Sequence, residues 1–290
     1  MLFSTAVKLL IEERIAMRYS PHTIRDYGVT YKKFLAHVGD VDIGVVNKQH
    51  IIQFMASQSK ISAKTLRNYH ADLSALWQWA IQQGICDENP VRQIKAPVAE
   101  KKTIIPLSKT EIYALLECAA QSRYPQRNRA IILVLVDTGM RATELCNLLI
   151  NDLNWVTGHV RVVGKGKKER LVPISIETIG VVENYLSVRK NTAQSAPLFA
   201  LRSEKPLDRY KLRKILADLG ERSKVSHVFP HRFRHTFAIQ FLRNGGNIYS
   251  LQKILGHSTL DMVKRYLAIA QNDIDHDHSI ASPVRCWNLV

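Results

Sequence analysis

The chain has 290 residues, 46% hydrophobic and 23% charged, enough for two domains with real cores. Its formal charge of +16 and pI near 9.8 point to a polyanionic partner; on charge alone the other classes are a solubilising basic surface, a ribosomal or RNA-binding protein, and a membrane-surface protein. Cys86, Cys118, Cys146 and Cys286 form no CxxC pair, which argues against a cysteine zinc site or a disulfide framework, fits a reducing cytoplasm and leaves Cys118 and Cys146 as small core residues.

Leu2–Met17 places apolar residues at helical spacing, and Glu12, Glu13 and Arg14 break its apolar stretch, so a helix is expected there rather than a signal peptide. Ser20-Pro21 is a cap with proline at the first helical position, opening a helix to about His37. Asn47 caps a third helix, to about Gln58. Ser62 precedes a fourth, ending near Gln83 before Gly84, with Leu66, Tyr69, Leu73, Leu76, Trp77 and Ala80 on its core face. Trp77 and Trp79 read as packing residues rather than base-stacking ones. Asn89-Pro90 closes this helical unit, residues 1–93. Residues 94–106 carry Pro97, Pro106 and several charges with no apolar period, the signature of a hinge linker.

Ser108-Lys-Thr-Glu111 is a capping box that opens a second domain, residues 107–290. A helix to about Ala120 follows, then another through Ile131–Asp137; Ala130–Val136 is the longest apolar run, far shorter than a membrane span. A short helix after Arg141 is succeeded by two β-rich runs, His159–Val163 and Glu169–Pro173, flanking Gly164-Lys-Gly-Lys-Lys168, a natural hairpin. Helices return over Ile176–Lys190, Leu207–Ser223, His231–Asn244, Ile248–Leu255 and Thr259–Leu267. The fold class is mostly α with a small antiparallel β-sheet. The charge is uneven: residues 1–100 hold 12 Lys/Arg against 9 Asp/Glu, and residues 101–290 hold 29 against 16, so the second part should make most of the phosphate contacts.

Chemistry concentrates in that second part. Tyr266 is preceded by His257 in Leu-Gly-His-Ser (255–258), by His231 and Arg234 in His-Arg-Phe-Arg-His (231–235), by Lys165 in Gly-Lys-Gly-Lys-Lys-Glu-Arg (164–170) and by Arg141 in Thr-Gly-Met-Arg-Ala-Thr-Glu-Leu (138–145). A phenol with two arginines, a lysine and two histidines is equipped to attack a phosphodiester without a metal. Guanidiniums hold phosphate oxygens bidentately, and fixed positive donors stabilise the charge that develops on them. Taken singly, each residue has a plainer reading: Arg141 as a surface partner of Glu144 or Asp152, Lys165 as a turn lysine with Lys167 and Lys168 as equals, His257 as a capping histidine, Tyr266 as a half-buried packing residue. His231 and Arg234 lie one helical turn apart and face one way. His235, beside Arg234, reads as a packed or supporting histidine.

These four local words and Tyr266, in this order and spacing, resemble the tyrosine recombinase (phage integrase) family, and among its members the short, two-domain Xer type. Ser20-Pro-His-Thr-Ile-Arg-Asp-Tyr27 is similar to the family's N-terminal core-binding helix, and Phe233 stands where leucine is commoner in the HxxR box. The resemblance implies a helical, SAM-like core-binding domain followed by an α+β catalytic domain. It implies a site-specific recombinase or integrase that cleaves and rejoins DNA through a covalent 3′-phosphotyrosine and a Holliday junction, with no metal, ATP or other cofactor. The implied catalytic set is Arg141, Lys165, His231, Arg234, His257 and Tyr266, with Glu144 orienting a neighbour; the family's register selects Lys165 as proton donor to the leaving 5′ oxygen. Expected DNA contacts are Arg25, Lys64, Arg67, Lys167, Lys168 and Arg170. The expected partners are double-stranded DNA with inverted-repeat core sites and a homo-tetramer on two duplexes, with a second recombinase or a directionality factor as further possibilities, and no membrane. A type IB topoisomerase or resolvase, and a non-catalytic DNA-binding regulator, are the competing functions. Asp261, Asp273, Asp275, His276, Asp277 and His278 imitate a metal site but read as a polar tail. Residues 272–290 end in an apolar segment with Trp287, Leu289 and Val290, expected to dock into a neighbouring protomer.

Overall fold

The computed structural model describes residues 1–98, 105–164, 168–270, 278 and 282–287. The chain divides into two compact units, Met1–Lys102 and Thr103–Val290.

The first unit is four helices: α1 (Phe3–Ala16), α2 (Pro21–Val38), α3 (Lys48–Ser57) and α4 (Ala63–Gln82). Their starts follow from local capping chemistry. The Ser20 side chain accepts from the Thr23 N–H, Asn47 from those of Gln49 and His50, and Ser62 from that of Thr65. Each cap satisfies a donor that the first helical turn leaves without a partner. The helices close on a core of rings, in which Phe34 meets Phe54 and Trp77 edge-on at centroid distances of 5.1 and 5.8 Å. Trp79 is also buried, and its Nε1–H donates to Glu13 at 2.6 Å. Both tryptophans are packing residues, as the sequence indicates, while Leu66 is only half-buried.

The second unit opens with α5 (Lys109–Ala120), capped by the reciprocal Ser108 and Glu111 bonds, and continues with α6 (Pro125–Thr138) and α7 (Ala142–Asn147). A sheet of order β1-β2-β3 follows, β1 (Leu153–Asn154), β2 (His159–Val163) and β3 (Glu169–Pro173), antiparallel throughout. Then come α8 (Ile176–Ser187), α9 (Arg209–Arg222), α10 (Pro230–Arg243), α11 (Ile248–Leu255), α12 (Asp261–Ala270) and one helical turn, Pro283–Cys286. Helices α5, α6, α8 and α9 and the inner face of the sheet share one core, and Ala238, Ile239, Leu251, Leu255, Val263 and Tyr266 form another that joins α10, α11 and α12.

Three details differ from the sequence reading. Helix α6 begins at Pro125, not Ile131, because proline suits the first helical position and Arg127 bonds Asn128 within the buried first turn. Strand β1 has two residues, too few to show alternation. Helix α12 begins at Asp261, not Thr259. Among the described residues no helix is long and apolar enough to cross a membrane.

Candidate active site

Two left-handed glycines set the frame. Gly139 ends α6 with φ of 58°, and a Cβ there would lie 2.4 Å from the Phe237 ring, so both backbone and space demand glycine. Two residues on, Arg141 leads into α7. Gly256 ends α11 with φ of 63°, and the last carbonyls of that helix lack partners within it. Three arginines supply them. Arg170 Nε donates to the Ile254 carbonyl at 2.7 Å, Arg234 Nη2 to Leu255 at 2.8 Å, and Arg141 to Leu255 and Gly256 at 3.3 and 3.4 Å. Cations at the C-terminal end of a helix are also favoured by its dipole.

Beneath them lies Glu144, 4% exposed, accepting from Arg141 Nη1 at 2.8 Å and from the Arg141 N–H at 2.7 Å. Arg170 grips both its oxygens, at 3.0 and 2.9 Å. Burial pushes this carboxyl's pKa up, but the bonds from Arg170 and Arg141 outweigh it and hold the group below its ordinary value, ionised. One carboxylate faces three guanidiniums. The surplus is felt at Arg234, 1% exposed, which burial and then the charge of Arg141 push down to about 10. Such a site favours an incoming anion.

Tyr266 sits beside this cluster on α12, 4% exposed. Burial raises its phenol pKa, and Arg234 and Arg141 pull in the other direction. The His257 ring lies nearly parallel to the phenol ring, with centroids 6.4 Å apart. His257 Nε2 is 2.7 Å from Arg234 Nη2. A guanidinium only donates, so Nε2 is the acceptor and the imidazole is neutral with its proton on Nδ1. Burial, then the Arg234 charge, pushes this histidine down to about 4. On α10, the His231 ring packs against that of His235 at 4.3 Å, and His235 Nδ1 is 2.9 Å from the Tyr266 hydroxyl.

The pattern of the phage integrase family matches residues 106–273, and that of the phage integrase N-terminal SAM-like domain matches residues 10–84. The chain belongs to the phage integrase family. It is 29% identical over 276 residues to tyrosine recombinase XerC of Pelobacter propionicus, covering 91% of this chain and 90% of that protein. It is 30% identical over 276 residues to tyrosine recombinase XerD of Staphylococcus epidermidis, covering 88% and 90%. Among solved structures, the Tn1549 transposon integrase in complex with circular intermediate DNA is similar at a TM-score of 0.78, with 21% identity over 92% of this chain and 95% of that one. A lambda integrase dimer bound to a core site has a TM-score of 0.75 at 17% identity, covering 90% and 97%. The expectation of a tyrosine-class site-specific recombinase stands with the family.

Within this integrase fold, Arg141, Glu144, Arg234, His257 and Tyr266 come together, and His231 stands exposed at the start of α10. Lys165 and Lys167 lie outside the described residues. The hairpin's root is described: the Gly164 N–H donates to the Lys168 carbonyl at 2.8 Å, and a Cβ on Gly164 would meet Arg170 at 3.4 Å. Arg170 differs from its expectation as a DNA contact. Its register partner Val162 is fully buried, residues paired across two strands share a face, and Arg170 therefore turns inward onto Glu144. Lys168, Arg25, Lys64 and Arg67 are exposed. His235 is the residue that sequence reasoning missed. Its signal was the four-residue spacing from His231, but its contact depends on how α12 crosses α10. Among the described residues no three His, Cys, Asp or Glu side chains are grouped to hold a metal; Asp273, Asp275, His276 and Asp277 lie outside them.

Proposed function

We propose that this chain cleaves and rejoins DNA at specific inverted-repeat core sites through a covalent tyrosine intermediate. The observation that carries the reading is the buried Tyr266 phenol beside two arginines whose charge one carboxylate shares. The Tyr266 oxygen attacks the scissile phosphorus. Arg141 and Arg234 hold the non-bridging oxygens, exchanging the carbonyls of Leu255 and Gly256 for phosphate. His257 gives up its bond to Arg234, shifts its proton from Nδ1 to Nε2 and donates it to a phosphate oxygen in a hydrogen bond, and His231 assists at the phosphate from its exposed position. The 5′ oxygen leaves with the bonding pair and takes a proton from Lys165. The products are a 3′-phosphotyrosine and a free 5′ hydroxyl, so the energy of the broken linkage is kept and rejoining needs no ATP. Neither a metal nor another cofactor takes part.

Four protomers on two duplexes, exchanging strands through a Holliday junction in the cytoplasm, complete the reading. Residues 1–93 and 107–290 act as two DNA-gripping domains joined by the 94–106 linker. The exposed Trp287, 71% accessible after a turn with no buried residue, supports a tail that docks into a neighbouring protomer.

The test is Tyr266→Phe on a nicked suicide duplex carrying a site selected by binding from a randomised pool. The native chain should leave a covalent adduct on denaturing electrophoresis; the variant should leave none while binding DNA normally. A normal adduct from the variant would remove Tyr266 from the role. Relaxation of plasmids lacking any target site would instead favour a type IB topoisomerase.

A further inference from the structure

Two imidazoles, His235 and His257, lie beside the Tyr266 phenol, and they are not equivalent. His257 Nε2 is engaged by Arg234 at 2.7 Å. His231 is exposed, and its ring meets that of His235 edge-on at 4.3 Å. His235 Nδ1 lies 2.9 Å from the phenol oxygen, with ring centroids 5.4 Å apart. It is half-buried between the exposed His231 and the buried tyrosine, a place that keeps bulk water from competing for the hydroxyl.

We infer that His235 is a catalytic residue that accepts the Tyr266 proton as the phenol attacks phosphorus and returns it when DNA is rejoined. The inference rests on the recombinase reading above and deepens it. In the forward step the Tyr266 O–H bond breaks and its proton passes to the Nδ1 lone pair. The phenol oxygen bonds to phosphorus, and the P–O5′ bond breaks with its electron pair on the 5′ oxygen, which takes a proton from the separate donor. His235 becomes an imidazolium. In the reverse step the 5′ hydroxyl returns its proton to that donor as it attacks, the P–O bond to Tyr266 breaks, and the imidazolium protonates the departing phenolate. The neutral starting form this requires carries its hydrogen on Nε2. Burial, and then His231 and Arg234, lower this imidazole's pKa to about 4, which keeps it neutral before DNA arrives. A phosphodiester held by Arg141 and Arg234 brings negative charge that offsets the guanidinium repulsion, so basicity rises when the proton has to move.

The direction of the bond is testable without DNA. Long-range nitrogen–proton NMR on the full chain should find the His235 proton on Nε2; a proton on Nδ1, donated to the phenol oxygen, would overturn the inference. On the selected nicked duplex, His235→Ala should slow adduct formation by about 10²-fold or more, the ordinary range for a lost proton acceptor. His235→Gln, which can accept a hydrogen bond but cannot carry the proton, should stay slow; a native rate would reduce His235 to a positioning residue. Joining of a 5′ hydroxyl to a 3′-p-nitrophenyl phosphodiester, whose leaving group departs without protonation, is then compared in Tyr266→Phe and in Tyr266→Phe/His235→Ala. Equal rates are expected, and a large further loss in the double variant would assign His235 to folding or phosphate binding. An adduct from the native chain with unimpaired His235→Ala sinks this inference alone; no adduct from the native chain sinks the recombinase reading with it.

Discussion

The two units bury different things. In the first, Phe3, Tyr31, Phe34, Phe54 and Trp77 are fully enclosed, and the Tyr31 Oη among them donates to the Asp72 carbonyl at 2.9 Å. In the second, Glu144 and Arg234 are equally enclosed, and Arg141 and Arg170 crowd upon them with positive charge in excess. Ring burial is stabilising in proportion to apolar area. A buried ionic cluster is not; desolvation opposes most of what the ions gain from each other. The first unit is thus arranged for stability, and the second gives up some of it to hold an unsatisfied field where an anion will sit.

That contrast is open to direct attack. Trp77→Ala should lower the stability of the first unit by about 3–5 kcal/mol in denaturant titration, while adduct formation at saturating DNA stays near the native rate. Arg234→Ala should do the reverse, slowing adduct formation by about 10²–10³-fold in single-turnover assays, the usual effect of losing a donor to a developing oxyanion. If Arg234→Ala unfolds the protein as readily as Trp77→Ala and cleavage falls only with the folded fraction, the contrast fails. Acid should also single out the second unit. His235 and His257 are held at about 4 when folded against about 6.5 when unfolded. Their pKa values are depressed by folding, so the unfolded chain takes up protons first. The stability tied to their neutral forms is complete above about pH 6.5 and lost as pH falls toward about 4. Unfolding of the second unit followed from pH 7 to pH 4 should show that decline, and a level profile would refute it. The smallest effect concerns the DNA grip. Arg25→Ala, Lys64→Ala and Arg67→Ala should each flatten the log–log salt dependence of binding by about 0.9 if that residue neutralises a phosphate. An unchanged slope would strike the residue from the interface.

What the sequence made legible was local chemistry. Ser20, Asn47, Ser62 and Ser108 announce helix starts because a cap involves residues three apart. Gly256 announces a stop for the same reason. The words around Arg141, Arg234, His257 and Tyr266 were legible because each is local in sequence, and the fold brings those four residues together. Contacts made across elements were hidden. His235 meets Tyr266 only once α12 lies on α10, and adjacency to Arg234 made it look like a helix's other face. Arg170 looked solvent-facing in a basic hairpin, although the strand register that pairs it with Val162 implied the inward turn. The short strand β1 and the polar first turn of α6 were too brief or too polar to show a period.

The carbonyls at the end of α11 have one more consequence, and it concerns entropy. An arginine side chain free in water loses about 2 kcal/mol of rotamer freedom when it is fixed. Here Arg141 and Arg234 are already fixed, against Leu255 and Gly256, before any nucleic acid is present. On the function proposed above, those carbonyls act as placeholders for phosphate oxygens. When DNA docks, one set of oxygens replaces another and little ordering of the clamp remains to be done. The loss of freedom falls on folding, and the interaction with the substrate is left to act on the reacting phosphate itself.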